Sequence, residues 1–263
     1  MIDDVETEPA STNAEAAPAA GFLTELQLAF SFLTILPVID QRRASEPAVA
    51  ASFAWFPLVG FALGASLCGE DWLLAHVFGQ VIRSVLVILS LTIITGAVHL
   101  DGLADTADAL GAGRDRERAL LIMRDSRLGT FGAIAVFFDL ALKILALSTL
   151  AGSRRFDALL IAPTLARLAM VAIPYGMNYL REQGAGSVLL TRSYSFDRKF
   201  VMGLIVIALA TVFAGFKIVL IAIAVTLATR WFYLRWLGGV TGDLIGAGGE
   251  LVEIAVLVAM TIT

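Results

Sequence analysis

Cysteine is nearly absent from this chain. A single one, Cys68, stands among 263 residues, which excludes an internal disulfide and argues against a cysteine-ligated metal site. Charge is scarce as well: Asp, Glu, Lys and Arg make up 16% of the residues, where a soluble domain carries about 25%. Histidine occurs twice, at His76 and His99. The formal net charge of −4 says little about partners; no nucleic acid partner is expected. The start of the chain lacks the basic region of a secretory signal, and no apolar run begins before Phe22. The apolar runs in turn lack the strict alternation of membrane-barrel strands.

What the chain has in quantity is hydrophobic surface: 58% of residues and a mean hydropathy of +0.83. That is more than one water-soluble core can absorb. The expected fold is therefore all-α, a polytopic integral membrane helical bundle. Eight segments suggest about seven or eight transmembrane helices: Phe22–Ile39, Ser52–Gly69, Val81–Val98, Phe131–Leu150, Ala158–Leu180, Phe200–Ala214, Ile218–Trp231 and Leu251–Thr263. The last three are short for a crossing. Residues 1–20 are acidic and rich in Ala and Pro, and are expected to form a disordered tail ahead of a single membrane domain over 21–263.

Alternate crossings divide the loops into two sets. One set, Asp40–Ala51, His99–Thr130, Asn178–Lys199 and Arg230–Glu250, holds thirteen of the nineteen Lys and Arg residues. The positive-inside rule makes that set cytoplasmic and places the acidic tail outside.

The most informative stretch is His99–Thr130. Asp101, Asp105 and Asp108 fall at i, i+4 and i+7, one face of a helix. Carboxylates gathered this way suit a hard divalent ion such as Mg²⁺, with phosphate oxygens completing its shell. Arg114, Arg116, Arg118, Arg124 and Arg127 follow closely and offer forked donors for phosphate. Acids for a metal beside arginines for an anion read as phosphoryl-transfer chemistry, although a solvated loop would also carry charge.

Other polar groups are weighed more lightly. Arg167 sits inside an apolar segment, where an arginine needs a partner, here a substrate phosphate or a site carboxylate. Asp139 and Lys143, four residues apart, read as a mutually neutralising pair. The Gly238–Glu250 stretch carries Asp243 and Glu250 among glycines, either as a ligand-hugging loop or as a flexible connector.

Two runs then resemble a known family. Thr95-Gly-Ala-Val-His99-Leu-Asp101-Gly-Leu-Ala-Asp105-Thr-Ala-Asp108 and Ile122-Met-Arg124-Asp125-Ser-Arg127-Leu-Gly-Thr-Phe-Gly132 closely resemble the cobalamin synthase family, the adenosylcobinamide-GDP ribazoletransferases. Phe30–Val38, Phe56–Gly60, Arg181–Gly186 and Gly239–Ala247 resemble its other landmarks in order, and the acidic tail is an addition. The resemblance implies an enzyme of the bacterial inner membrane, its site facing the cytoplasm. Such an enzyme joins adenosylcobinamide-GDP to α-ribazole, or its 5′-phosphate, with release of GMP and use of Mg²⁺. Carried onto this chain, it implies Asp101, Asp105, Asp108, Asp125 and Asp243 for the metal. Arg114, Arg124, Arg127 and Arg167 are then expected to bind phosphate, with Asp108 or His99 as the base. A homo-oligomer, or association with other enzymes of the pathway, is compatible with this reading. The CDP-alcohol phosphotransferases, which also cluster aspartates, fit less well, since Asp105 stands where their signature requires arginine. A transporter would call for internal repeats, and none is evident.

Overall fold

The structure, a computed structural model, describes residues 21–39, 44–113, 115–181 and 196–262. Among these residues every regular element is helical, and the one β feature is an isolated bridge between Tyr179 and Val240. The helices are α1 (Phe22–Leu33), α2 (Glu46–Ser52), α3 (Phe56–Leu74), α4 (Gln80–Ile94), α5 (Val98–Leu110), α6 (Arg116–Ile122), α7 (Thr130–Thr149), α8 (Gly152–Ala172), α9 (Phe196–Ala214), α10 (Phe216–Trp236) and α11 (Gly242–Met260). A short 3₁₀ turn, Phe53–Trp55, joins α2 to α3. The acidic tail and Arg114 lie outside the described residues.

Length and apolar composition qualify three segments as membrane-crossing: Glu46–Leu74, α7 and α10. A fourth is α4 if it is taken together with α5, from which it is bent by 89°. α8 and α11 are long enough but carry charge. Arg154, Arg155, Asp157 and Arg167 lie on α8, and Asp243, Glu250 and Glu253 on α11.

The buried charges among these are compensated inside the bundle. Lys143 of α7 pairs with Asp139 at 3.0 Å and with Glu253 at 3.1 Å, and also contacts Glu250. Arg167 donates to Glu253 at 2.5 Å. Lys143 and Asp139 thus pair as the sequence suggests, within a larger cluster that joins α7, α8 and α11. At the far end of the bundle Arg155 forks onto Asp71 at 2.6 and 3.0 Å and donates to Ser84 at 3.0 Å, tying α8 to α3 and α4. Buried charges need partners of this kind, because an unpaired ion in the interior is strongly destabilising.

α3 and α8 pack closely along their lengths because glycines leave room. An added Cβ at Gly60 would come within 2.5 Å of the Pro163 carbonyl, and one at Gly64 within 2.7 Å of the Leu159 carbonyl. Gly60 and Gly64 are four apart, the small-residue spacing that lets helix backbones touch in a bilayer. On the outside, Phe137, Phe138, Leu145, Val212, Leu227 and Trp231 are exposed apolar side chains, a surface suited to lipid.

Two segments depart from the sequence reading. α1 has 12 residues and so spans about 18 Å, short of the ~30 Å hydrocarbon core. Its first-turn Glu25 accepts from Trp55 Nε1 at 3.0 Å and from Arg198 Nη1 at 2.7 Å, which sets the start of α1 beside the start of α9. Its exit lies against the end of α4, where Ile35 N–H donates to Ile94 O at 2.8 Å. The second departure is the glycine-rich stretch before Glu250, which is the first half of α11. Its glycines serve contact. Gly246 packs on His99, Gly248 on Ile173 and Gly249 on Met170.

Candidate active site

The helical register of the acidic run is realised in α5. The chain reaches it through a sharp elbow at the end of α4, where Gly96 and Ala97 take positive φ values of 63° and 56°. That left-handed pair turns the chain through 89°. α5 therefore leaves the direction of α4. Gly102 lets α5 touch the N-terminus of α11, because a Cβ there would fall 2.7 Å from the Asp243 carbonyl oxygen. Thr241 caps α11, its hydroxyl accepting from Leu244 N–H at 3.3 Å. Asp243 is thereby fixed facing α5.

Together these elements wall a cleft of about 650 Å³ lined by Asp101, Asp105, Met123, Arg124, Asp125, Ser126, Arg181 and Asp243. Four stretches far apart in the chain contribute. Arg181 is placed by the Tyr179–Val240 bridge: Leu180 N–H donates to Val240 O, and Val240 N–H to Asn178 O, each at 2.9 Å. Gly239 makes this approach possible, since a Cβ would lie 2.3 Å from the Asn178 carbonyl. The Arg181 guanidinium donates through Nη2 to the Met123 carbonyl at 3.1 Å and to the Asp243 carboxylate.

The acids load the cleft with negative charge. Burial, followed by the neighbouring Asp101 and Asp243 carboxylates, pushes the Asp105 carboxyl up to about 6, and Arg181 offsets only part of this. Asp125 moves the other way. Hydrogen bonds from Arg127, at 2.9 Å from Nε and 2.5 Å from Nη2, hold it down at about 2.

The structure thus brings Asp101, Asp105, Asp125, Asp243 and Arg124 to one place. It puts the other expected residues elsewhere. Asp108 faces the start of α7, its carboxylate accepting from Gly129 N–H at 2.7 Å and Gly132 N–H at 2.8 Å. Seven residues of helix advance about 10 Å, so Asp101 and Asp108 share a face without sharing a cation. His99 is buried against Gly246, and among the described residues its Nδ1 has no hydrogen-bond partner. Arg167 is 1% exposed and committed to Glu253. Arg127 points outward onto Asp125.

Arg181, Met123 and Ser126 are cleft residues that sequence reasoning did not single out. The Arg181–Gly186 run was visible as a family landmark, but nothing in its spacing connects it to Asp243.

The residues fit a Mg²⁺ ion on specific terms. Among the described residues no group of three or more His, Cys, Asp or Glu side chains is arranged to hold a metal. Mg²⁺ commonly takes one or two carboxylates and fills its shell with water and substrate phosphates. Asp101 and Asp243, whose charges raise Asp105, are suited to such a partial site.

Comparison with known proteins agrees with the motifs. Residues 25–261 match the cobalamin-5-phosphate synthase family. Adenosylcobinamide-GDP ribazoletransferase of Syntrophobacter fumaroxidans is 39% identical over 240 residues, 88% of this chain and 95% of that protein. The proteins of the same name from Geotalea daltonii and Klebsiella pneumoniae are 36% identical over 89% of this chain, with 95% of that protein covered, and 37% identical over 88%, with 97% covered. No solved structure matches. By its length of match and its motifs, the chain belongs to the cobalamin-5-phosphate synthase family.

Proposed function

We propose that this chain is an adenosylcobinamide-GDP ribazoletransferase, joining adenosylcobinamide-GDP and α-ribazole, or its 5′-phosphate, to give adenosylcobalamin, or its 5′-phosphate, and GMP. The observation that carries the reading is the cleft, where Asp101, Asp105 and Asp243 face Arg124 and Arg181. That set matches a substrate whose reacting centre is a diphosphate. A ribazole hydroxyl oxygen forms the new bond to the phosphorus attached to cobinamide, and the bond from that phosphorus to the GMP oxygen breaks. Mg²⁺, held by Asp101 and Asp243, would neutralise diphosphate charge and stabilise the departing GMP.

Every other role falls to the chain's own groups. Arg124 and Arg181 bind and orient phosphate oxygens through forked donors. Asp105, which lines the cleft together with Asp101 and Asp243, takes the hydroxyl proton on a carboxylate oxygen. Asp108 holds α5 to α7 and Asp125 orders its loop through Arg127.

The orientation follows from the same end of the bundle. In this reading α3, α4 and α7–α11 cross, and α1 lies along the cleft side, its start beside that of α9 and its exit beside the end of α4. The Lys and Arg residues concentrated there support a cytoplasmic cleft in the inner membrane. With α1 on that side, Gly21 is expected at the cytosolic face, where eight alternating crossings would set it outside.

The test uses purified protein in liposomes with adenosylcobinamide-GDP and α-ribazole, with and without Mg²⁺, following GMP and corrinoid product. Mg²⁺-dependent formation of both is expected. Turnover of a CDP-activated lipid in place of these substrates would overturn the reading.

A further inference from the structure

We propose that Arg181 is an internal counter-ion that competes with the divalent cation for Asp243 and exchanges onto the substrate's diphosphate when the two arrive together. The inference rests on the functional reading above and adds a residue that couples its two ligands.

Four observations carry it. The ion pair joins Arg181 to Asp243, a carboxylate of the cleft facing Asp101 and Asp105. The pair is accessible: the side chains are 25% and 21% exposed. A wet ion pair is held weakly enough to exchange, unlike the closed Arg167–Glu253 pair. The backbone beneath Arg181 is fixed by the Tyr179–Val240 bridge, so a change of partner needs side-chain rotation alone. Both contacts of the guanidinium run through Nη2, onto Asp243 and the Met123 carbonyl. Met123 directly precedes Arg124, so the arginine already stands beside the second phosphate-binding group of the cleft.

The exchange has a thermodynamic consequence. A cation arriving alone must displace a guanidinium whose charge then lacks a partner. A cation arriving with diphosphate leaves Arg181 a new anion. Cation and substrate therefore strengthen each other's binding, and by linkage the factor is the same in both directions. A residue that only braced Asp243 against Met123 would produce no such coupling.

The test measures Mn²⁺ binding by electron paramagnetic resonance on the full chain in a sugar-based, phosphate-free detergent, with no phosphate compound present. It compares wild type, Arg181→Gln, Arg181→Lys, Asp243→Asn and the Arg181→Gln/Asp243→Asn double variant. Arg181→Gln is expected to bind Mn²⁺ about tenfold more tightly than wild type. Arg181→Lys keeps the charge and is expected to stay near wild type. The double variant is expected to bind no more tightly than Asp243→Asn. In turnover, Arg181→Gln should raise KM for adenosylcobinamide-GDP about tenfold with kcat changed less, and Arg181→Lys should recover part of it. Unchanged or weakened Mn²⁺ binding in Arg181→Gln overturns the exchange, as does equal tightening in the Asp243→Asn background. If wild type binds Mn²⁺ with these differences yet forms no corrinoid product, the competition of Arg181 with the cation for Asp243 stands and the functional reading falls, and with it the transfer onto the substrate's diphosphate. A wild type that binds no Mn²⁺ overturns the exchange, while Mg²⁺-independent product would leave the transferase assignment in place.

Discussion

A methyl group added at Gly102 tests the geometry of the cleft directly. The Cβ of Gly102→Ala would lie 2.7 Å from the Asp243 carbonyl oxygen, 2.9 Å from its Cα and 3.2 Å from its carbonyl carbon. All three atoms are backbone, so no side-chain rotation relieves the overlap. Ordinary contact requires α5 and α11 to part by roughly 0.5–1 Å, which is the overpacking regime of about 1–3 kcal/mol. Replacing glycine in a helix interior returns up to about 1 kcal/mol, so the net loss of stability should be modest. Turnover should suffer more. Asp243 moves relative to Asp101 and Asp105, and a misplacement near 1 Å costs on the order of 10²-fold in rate. Gly69→Ala in α3 is the matched control, because nothing lies within 4 Å of its added Cβ. It should be neutral or stabilising by up to about 1 kcal/mol, with full activity. The assay pairs thermal unfolding in lipid with GMP release per folded molecule. A Gly102→Ala protein with wild-type turnover would refute the claim that α5 and α11 meet to set the acids.

Three further outcomes are expected. Glu253→Ala removes the acid shared by Arg167 and Lys143, and should destabilise by about 3–5 kcal/mol; a thermal midpoint equal to wild type would count against the cluster as a structural lock. Asp108→Ala strips the caps from Gly129 and Gly132 and should lose about 0.5–2 kcal/mol of stability. Its turnover should nevertheless far exceed that of Asp101→Asn, and equal collapse of both would return Asp108 to the catalytic set. In a Cys68→Ala background, single cysteines at Gly21 and Leu128 should react with a membrane-impermeant maleimide from the cytosolic side and one at Gly79 from the other side. Opposite labelling of positions 21 and 128 would restore α1 as a crossing helix.

The sequence carried the helical architecture and the acidic helix, because hydrophobic runs and an i, i+4, i+7 register are local properties. Convergence is not local. Asp101 and Asp108 look equivalent on a helical wheel, but the rise along the axis sends one to the cleft and the other to the α7 N-terminus. From sequence, Arg167 is assigned to a substrate phosphate or a site carboxylate, because its structural partner Glu253 lies 86 residues away. Arg181 was hidden for the same reason, 62 residues from Asp243. The glycines of α11 counted as loop residues by composition, whereas in the structure they let the helix press against His99, Ile173 and Met170.

The charge cluster that joins α7, α8 and α11 also bears on how the protein is made. Lys143 and Arg167 leave the ribosome well before Glu250 and Glu253. Until the last helix is threaded in, the nascent bundle holds two cations in its interior with Asp139 as the acid already in place. The same last helix delivers Asp243 to the cleft. Compensation of the buried charge and completion of the carboxylate set of the cleft therefore wait on the same helix.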